Sequence, residues 1–327
     1  APTTATTNSV FSQELRLQGE TGAVNWLVGA FYMHDEVDYA IDFTYDSQWQ
    51  AYVDLNLFGA AGLQAYGTRP TNPMQPGFVP SLLAATNPAL ATTYLPAVPD
   101  VLDQMDLTTD AVALFTHNEI SLSDTLTATV GLRYTKEDKE LAMDLSSADT
   151  GSPLEGCRVA QGFAGTPLAA LAGLLCFPQG NILADGFDKD DRSDEALSGT
   201  VKLALAVGED ALVYVSYSRG FKSGGYNLDR AGLDLADGDG AAASDLDFDV
   251  EEVDAYELGW NSTWADGSVS FNGAIYYQEV TDFQQLNFLG TRFEVAQGDF
   301  EVEGLELDLI ARPLENLVLT ANYAYTD

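Results

Sequence analysis

The residues best able to do chemistry are three aspartates whose spacing indicates cation binding rather than catalysis. Asp245, Asp247 and Asp249 alternate like the first ligands of an EF-hand calcium loop. The sixth position of such a loop is Val250 here instead of glycine, and the twelfth is Tyr256 instead of glutamate. We therefore reject an EF-hand and predict no firm metal site and no cofactor. A looser surface Ca²⁺ site and plain solvation of the loop both stay open.

A catalytic centre is not predicted. The two histidines, His34 and His117, both fall inside predicted strands, where a lumen or rim residue is a simpler interpretation than a catalytic base. The chain has no G-x-S-x-G elbow, no P-loop and no dinucleotide-binding fingerprint. These observations predict a protein that is not an enzyme.

The charge balance excludes nucleic acid as a partner. The chain has 14 basic and 50 acidic residues and a net charge of −36, whereas nucleic-acid binding needs a basic surface. Many carboxylates lie in residues 229–254, which contain one basic residue, Arg230. Solvation of the loops is one interpretation, and attraction of divalent cations with repulsion of anionic solutes is the other. Mutual repulsion predicts an extended outside loop unless cations screen it.

The only two cysteines, Cys157 and Cys176, are predicted to form a disulfide. They lie in the same long, irregular segment, and no histidine or second cysteine pair is near enough to complete a zinc site. A local pair of this kind is typical of an oxidising compartment.

Alternation of apolar and polar residues predicts ten β-strands. Short turns join them in pairs, whereas the separators at 46–108, 144–193, 226–250 and 286–297 are long. This segregation of loop lengths is typical of a transmembrane β-barrel with short turns on one side. No run reaches the ~18 apolar residues of a membrane-spanning helix. The predicted strands are 10–18, 25–40, 109–120, 125–136, 195–207, 211–224, 251–264, 268–279, 300–311 and 317–326.

The two faces of these strands differ in polarity. Arg133, Lys202 and Glu257 lie on polar faces, and such residues are costly in hydrocarbon, so a wet lumen suits them. Trp26 and Trp264 lie close to short turns, as in an aromatic girdle at a membrane interface. Alternation alone fits a soluble sandwich equally well, with the tryptophans in its core.

Several segments resemble the TonB-dependent outer-membrane receptors. Residues 215–227 read VSYSRGFKSGGYN, similar to a stretch where a barrel strand of that family enters an outside loop. Other hairpins of the family resemble SQELRLQG and WLVGAFY at 12–19 and 26–32, GLRYTKED at 131–138, residues 251–284, and VEGLELDLIARPLENLVLTANYAYT at 302–326.

The resemblance implies an all-β, antiparallel up-and-down barrel of about 22 strands with a plug domain. It implies uptake of a scarce nutrient, an iron–siderophore or another complex, across the outer membrane of a Gram-negative bacterium. The implied partners are outer-membrane lipid, lipopolysaccharide, a small-molecule ligand, and the TonB complex, reached through the plug. We expect residues 1–327 to be a partial wall of about ten strands with long outside loops, without the plug or the C-terminal strands.

The candidate ligand contacts lie where strand 211–224 meets its loop: Arg219, Lys222, Tyr217, Tyr226 and Asn227. Salt bridges from Arg219 and Lys222 to acidic loops or to lipopolysaccharide phosphates are the competing interpretation. For the whole chain, the alternatives are a porin-like passive channel and a secreted β-sandwich adhesin.

Overall fold

The structure is a computed structural model that describes residues 3–43, 101–147, 184–234, 241–288 and 293–327. Ten long strands form one antiparallel sheet in which each strand pairs with its neighbours along the chain. The prediction of a ten-stranded up-and-down wall is therefore confirmed. The long strands are β1 (Thr3–Thr21), β2 (Val24–Phe43), β3 (Val101–Ser121), β4 (Leu126–Ser147), β5 (Gly186–Val207), β6 (Ala211–Lys222), β9 (Glu251–Trp264), β10 (Val269–Thr281), β13 (Phe300–Leu314) and β14 (Leu317–Thr326).

Four short strands lie in the outside loops and were not predicted. β7 (Gly225–Tyr226) pairs with β8 (Asp247–Phe248), and β11 (Gln285–Phe288) pairs with β12 (Phe293–Ala296). In the described part of the chain, no helix is long and apolar enough to cross a membrane.

Tight turns close one end of the sheet, which we call the short-turn end. Gly22, Gly208 and Gly267 there have φ values of 61°, 69° and 83°, a region that glycine enters without the steric cost of a Cβ atom. The opposite, long-loop end carries residues 223–250 and 282–299 and the connections between β2 and β3 and between β4 and β5.

β3 and β5 begin earlier than the sequence predicted. The predicted starts were residues 109 and 195, whereas pairing extends to Val101 in β3 and to Gly186 in β5. The added residues include several aspartates, which weaken the alternation of apolar and polar residues. The backbone of these residues still pairs with the neighbouring strand. Strand ends beyond the apolar band are therefore invisible to hydrophobic periodicity.

The sheet has one apolar face and one polar face. Leu132, Val201, Val215, Leu258 and Ile275 are large, exposed and on the apolar face. No second sheet covers this face among the described residues. The sandwich alternative required it to be buried, so that alternative does not fit.

Aromatic side chains mark both limits of the apolar band. Tyr217, Tyr256 and Tyr277 lie directly opposite one another on β6, β9 and β10, and Trp264 lies at the short-turn end of the same face, 58% exposed. The strand from Tyr256 to Trp264 is about 26 Å long at about 3.3 Å per residue. At a tilt of about 40° it spans about 20 Å along the membrane normal, close to the ~25 Å apolar band of an outer-membrane barrel.

A buried cluster lies at the long-loop end, on the polar face of the sheet. Met105, Leu141, Met143 and Leu145 from β3 and β4 pack there against loop residues. The loop contributes Tyr226, Leu233, Ala243 and Leu246. The prediction that residues 229–254 form an extended segment is therefore wrong for its described part, because apolar side chains between the carboxylates anchor it to the wall.

Candidate functional site

The polar face within the apolar band is the first part of the candidate site. Tyr214 donates a 2.6 Å hydrogen bond to Glu257 on the neighbouring strand, and the ammonium of Lys202 lies 4.1 Å from the centre of the Tyr214 ring. The ring lies across Gly259, where any Cβ atom would overlap it. The tyrosine thus fixes one cation and one carboxylate on the wall.

Arg133 forms a second cationic position on the polar face. Its guanidinium lies 5.2 Å from the centre of the Phe31 ring and 5.6 Å from that of Phe115. Its Nε donates a 3.0 Å hydrogen bond to the hydroxyl of Thr135. Cation–π contact and hydrogen bonding orient the charge, and no carboxylate among the described residues forms an ion pair with it.

A largely buried charge network lies beyond the tyrosine row, at the long-loop end. Arg192 donates to Asp194 from Nη2 at 2.8 Å and from Nε at 3.2 Å, and Nη1 donates to the carbonyl of Phe248 at 2.7 Å. Asp194 also accepts a 2.9 Å bond from Ser223, whose hydroxyl accepts a 2.7 Å bond from Lys139. The network ties β4 and β5 to the loop that follows β6.

The acid–base state of this network follows from its hydrogen bonds. Burial alone would raise the pKa of Asp194, but the bonds from Arg192 and Ser223 outweigh it and the pKa lies below its ordinary value. Burial, and then the bond to Asp190, raise the pKa of Tyr226. Asp194 is therefore an anion and Tyr226 a neutral donor at neutral pH.

Arg230 is the most buried charged residue of the loop. Its side chain is 1% exposed, and it contacts Asp103 of β3 with an Nε–Oδ1 distance of 3.2 Å. That contact is an ion pair rather than a hydrogen bond, because neither atom meets hydrogen-bond geometry there. A 2.9 Å hydrogen bond joins Nη2 to Asp185, just before β5. Burial raises the pKa of Asp103 to about 7 despite the opposing effect of Arg230.

The two outside loops are joined to each other. Asn227 donates a 2.9 Å side-chain bond to the carbonyl of Phe293, and the Phe293 amide donates a 2.9 Å bond to Asp229. Gln284 donates to the carbonyls of Ser223 and Asp249 at 3.0 and 2.9 Å. The loop after β6 and the loop after β10 therefore form one layer at the mouth of the wall.

The five predicted ligand contacts do not lie on one surface. Arg219 and Tyr217 project from the apolar face, and Arg219 pairs there with Glu252 at 2.7 Å and with Asp254 at 3.5 Å. Tyr226 is buried in the cluster, and Asn227 bridges the two loops. Of the five, Lys222 is the one that is both exposed and, by strand alternation, on the side of the polar face.

The carboxylates of two predicted calcium ligands, Asp245 and Asp247, have different partners. Asp245 accepts a 2.9 Å bond from the amide of Asp234, and Asp247 lies 3.7 Å from Arg192. The Asp249 amide donates to the side chain of Gln297. Within the described residues, no group of three or more His, Cys, Asp or Glu side chains is arranged to hold a metal ion.

The remaining predicted residues fall on both faces. His34 lies on the apolar-face side beyond the tyrosine row and bonds Asp110 at 3.0 Å, whereas His117 lies on the polar face beside Gly131. Both lie in strands, as predicted. Cys157 and Cys176 lie outside the described residues.

Comparison with known proteins identifies the family to which this sheet belongs. A family model described as TonB dependent receptor-like, beta-barrel, matches residues 3–327. The chain belongs to this family. Its apolar face is therefore the lipid face of a barrel and its polar face is the lumen face.

Solved structures show the same fold. The ferric yersiniabactin uptake receptor FyuA from Yersinia pestis is 15% identical, with a TM-score of 0.59 over 100% of this chain and 36% of that chain. The copper transporter OprC is 12% identical, with a TM-score of 0.58 over 99% of this chain and 38% of that one. The siderophore receptor PiuA from Acinetobacter baumannii is 17% identical, with a TM-score of 0.53 over 99% of this chain and 38% of that one.

The extent of the match defines what the chain represents. It spans 36–38% of the length of these three structures, so it corresponds to a partial barrel wall. The identities, all below 20%, show the fold and not the ligand.

Sequence reasoning missed Arg230 and its two carboxylate partners. Arg230 is the one basic residue among the carboxylates of 229–254, and that isolation was the available signal. A lone arginine flanked by Ala231 and Leu233 could have been interpreted as a buried anchor, because arginine is rarely buried without carboxylates around it.

Proposed function

We propose that this chain is part of the barrel of a TonB-energised receptor in a Gram-negative outer membrane. The nutrient it takes up is a metal complex, of which iron–siderophores are the first candidates. Family membership supports the receptor class, and two relatives of the same fold are named for ferric yersiniabactin uptake and for siderophore binding. A third, named as a copper transporter, widens the candidates to other metal complexes.

The observation that carries the proposal is the polarity of the two faces. Large apolar residues and the Tyr217–Tyr256–Tyr277 row form the lipid face, whereas Arg133, Lys202 and Glu257 lie on the lumen face. A wall of this kind separates hydrocarbon from a polar interior that can hold a plug domain and pass a polar solute. TonB would act on the plug and not on this wall.

Lys222 is the proposed ligand contact of this part of the wall. It is exposed at the end of β6, on the lumen side, and no ion pair to it is formed among the described residues. Anionic donor groups such as carboxylate, catecholate or hydroxamate oxygens are common in metal chelates and would suit its ammonium. The surrounding carboxylates would repel a free anion and leave a neutral or weakly charged complex as the favoured ligand.

Lipopolysaccharide is the proposed neighbour on the opposite side. Lys136, Lys189 and Arg219 lie on the lipid-face side beyond the tyrosine row, each paired with a carboxylate. Such pairs can exchange partners with phosphate groups in the outer leaflet. Divalent cations would bridge the remaining carboxylates to the same phosphates.

Uptake by intact cells tests the proposal. Cells producing the full-length protein that carries this chain would be given ⁵⁵Fe-labelled hydroxamate and catecholate siderophores, with and without a functional TonB. The proposal is supported if uptake requires TonB and if Lys222→Ala raises the KM of uptake. The control Lys189→Ala, whose side chain faces outward, should leave that KM unchanged. Equal uptake with and without TonB would instead show a passive channel.

A further inference from the structure

The loop after β6 is docked onto the lumen face of the wall by a buried ion cluster. Arg230 is 1% exposed and Asp103 is 2% exposed, and Asp185 completes the cluster at 30% exposure. Removing an ion pair from water is costly unless every charge is balanced. One arginine here faces two carboxylates, so the docked loop buries an excess negative charge.

Docking is also supported by apolar contacts and by a hydrogen bond to β5. Leu233, Ala243 and Leu246 pack against Met105, Leu141 and Met143 of the wall. The Ala243 amide donates a 2.7 Å bond to Asp188 of β5. These contacts give the loop a defined docked state whose stability the ion cluster can change.

The groups facing Asp103 come from every element packed on it. Arg230 and Asp229 face it from the loop, Asp185 from the start of β5, and Tyr39 from β2. Its β4 partner is the apolar Leu145. With two further carboxylates and one arginine nearby, protonation of Asp103 lowers the excess negative charge that the docked loop buries.

We propose that Asp103, Arg230 and Asp185 form a proton-dependent latch, which holds the loop over the lumen face more tightly when Asp103 is protonated. One proton from solvent binds the Asp103 carboxylate as the loop docks, and it is released when the loop leaves. Arg230 keeps Asp185 as its anionic partner in the protonated state. Undocking would uncover the part of the lumen face formed by β3, β4 and β5.

The direction of the effect follows from the two states. The pKa of Asp103 is about 7 in the docked state against an ordinary value of 3.8. The docked state therefore holds one more proton between these limits, and docking strengthens by up to tenfold for each unit of pH decrease from 7 towards 4. Above pH 7 the docking equilibrium is flat.

Hydrogen exchange on the full-length protein in lipid nanodiscs tests the latch. The peptide covering 226–234 reports docking, because the amides of Asn227, Gly232 and Leu233 are hydrogen-bonded only within the folded loop. After correction for intrinsic exchange, its protection should be up to about 100-fold higher at pH 5 than at pH 8. Peptides of the β9–β10 hairpin in the same sample should not change. A protection ratio near one for 226–234 would overturn the proposal.

Two substitutions and one control substitution assign the proton to Asp103. Asp103→Asn mimics the protonated carboxyl and should give high protection at both pH values, while Asp106→Asn, on the same strand but exposed, should behave as wild type. Asp185→Asn removes a neighbouring negative charge and should move the midpoint to lower pH. A wild-type pH dependence of protection in Asp103→Asn would overturn the assignment. An unchanged midpoint of that dependence in Asp185→Asn would also overturn it, so either folded variant is sufficient for the test.

Discussion

The rings of Tyr217 and Tyr256 lie with their centroids 5.1 Å apart on neighbouring strands of the lipid face. Tyr277 extends the row, with its centroid 6.4 Å from that of Tyr256. Tyrosine prefers the level of lipid headgroups, where its ring is in apolar surroundings and its hydroxyl is in water. The row therefore marks the membrane boundary at the long-loop end of this wall.

Replacing the central tyrosine of the row should destabilise the barrel. Tyr256→Ala removes two ring contacts and the interfacial side chain, for an expected cost of about 1–3 kcal/mol. Tyr256→Phe keeps the rings and should cost much less. Thermal unfolding of the full-length protein, followed by its heat-modifiable migration on gels, measures both. Equal effects of the two substitutions would contradict an interfacial packing role.

The sequence could predict the strands because each has one lipid face. Within the apolar band, period-two alternation specified all ten long strands, and β9 and β14 match their predicted limits. The same alternation could have placed Tyr217 and Arg219 outward, since Val213 and Val215 have the same parity on β6. The predicted ligand role of these two residues rested on their position near a loop and did not take into account the face from which they project.

The loop after β6 could not be predicted in the same way. Its acidic composition suggested repulsion, whereas its fold depends on Asp103, Asp185 and Arg230 meeting from distant parts of the chain. Composition reports net charge, but burial depends on which charges become neighbours. The same reason explains why the carboxylates of Asp245 and Asp247 acquire separate partners instead of forming one site with Asp249.

Gly259 should not tolerate a side chain, because the Tyr214 ring occupies the space above it. Gly259→Val would displace that ring from Glu257 and Lys202, with an expected destabilisation of about 1–3 kcal/mol from overpacking. Gly298, with open space around its Cα atom, is the matched control, and Gly298→Val should be close to neutral. Equal thermal stability of the two variants would show that Tyr214 is free to move.

The Asp194 network should resist acid until its own carboxylate is protonated. The pKa of Asp194 is lowered below the ordinary value of 3.8, so its contribution is present above that value and is lost as pH falls through the lower, folded-state pKa. We expect the network to persist at pH 5 and to weaken well below pH 4. Asp194→Asn should remove this acid transition, measured by hydrogen exchange of the loop at residues 223–226. An unchanged transition in the variant would assign it to another group.

The Cys157–Cys176 disulfide remains a prediction for residues outside the described structure. Closing a loop of that length would stabilise the folded chain by about 3 kcal/mol in the chain-entropy model. A free-thiol assay on denatured, non-reduced protein should find no reactive thiol. Two reactive thiols would refute the disulfide.

The assignment of the two faces is tested most directly by nitroxide labels placed one at a time at residues 253–261 of β9, except Gly259, in membrane-embedded, full-length protein. Labels at even positions, such as Tyr256, Leu258 and Trp260, should be relaxed more strongly by oxygen, which concentrates in lipid. Labels at odd positions, such as Ala255 and Asn261, should show lower oxygen contact, giving a period of two. A flat profile, or one with the parity reversed, would contradict a membrane wall with the apolar face towards lipid.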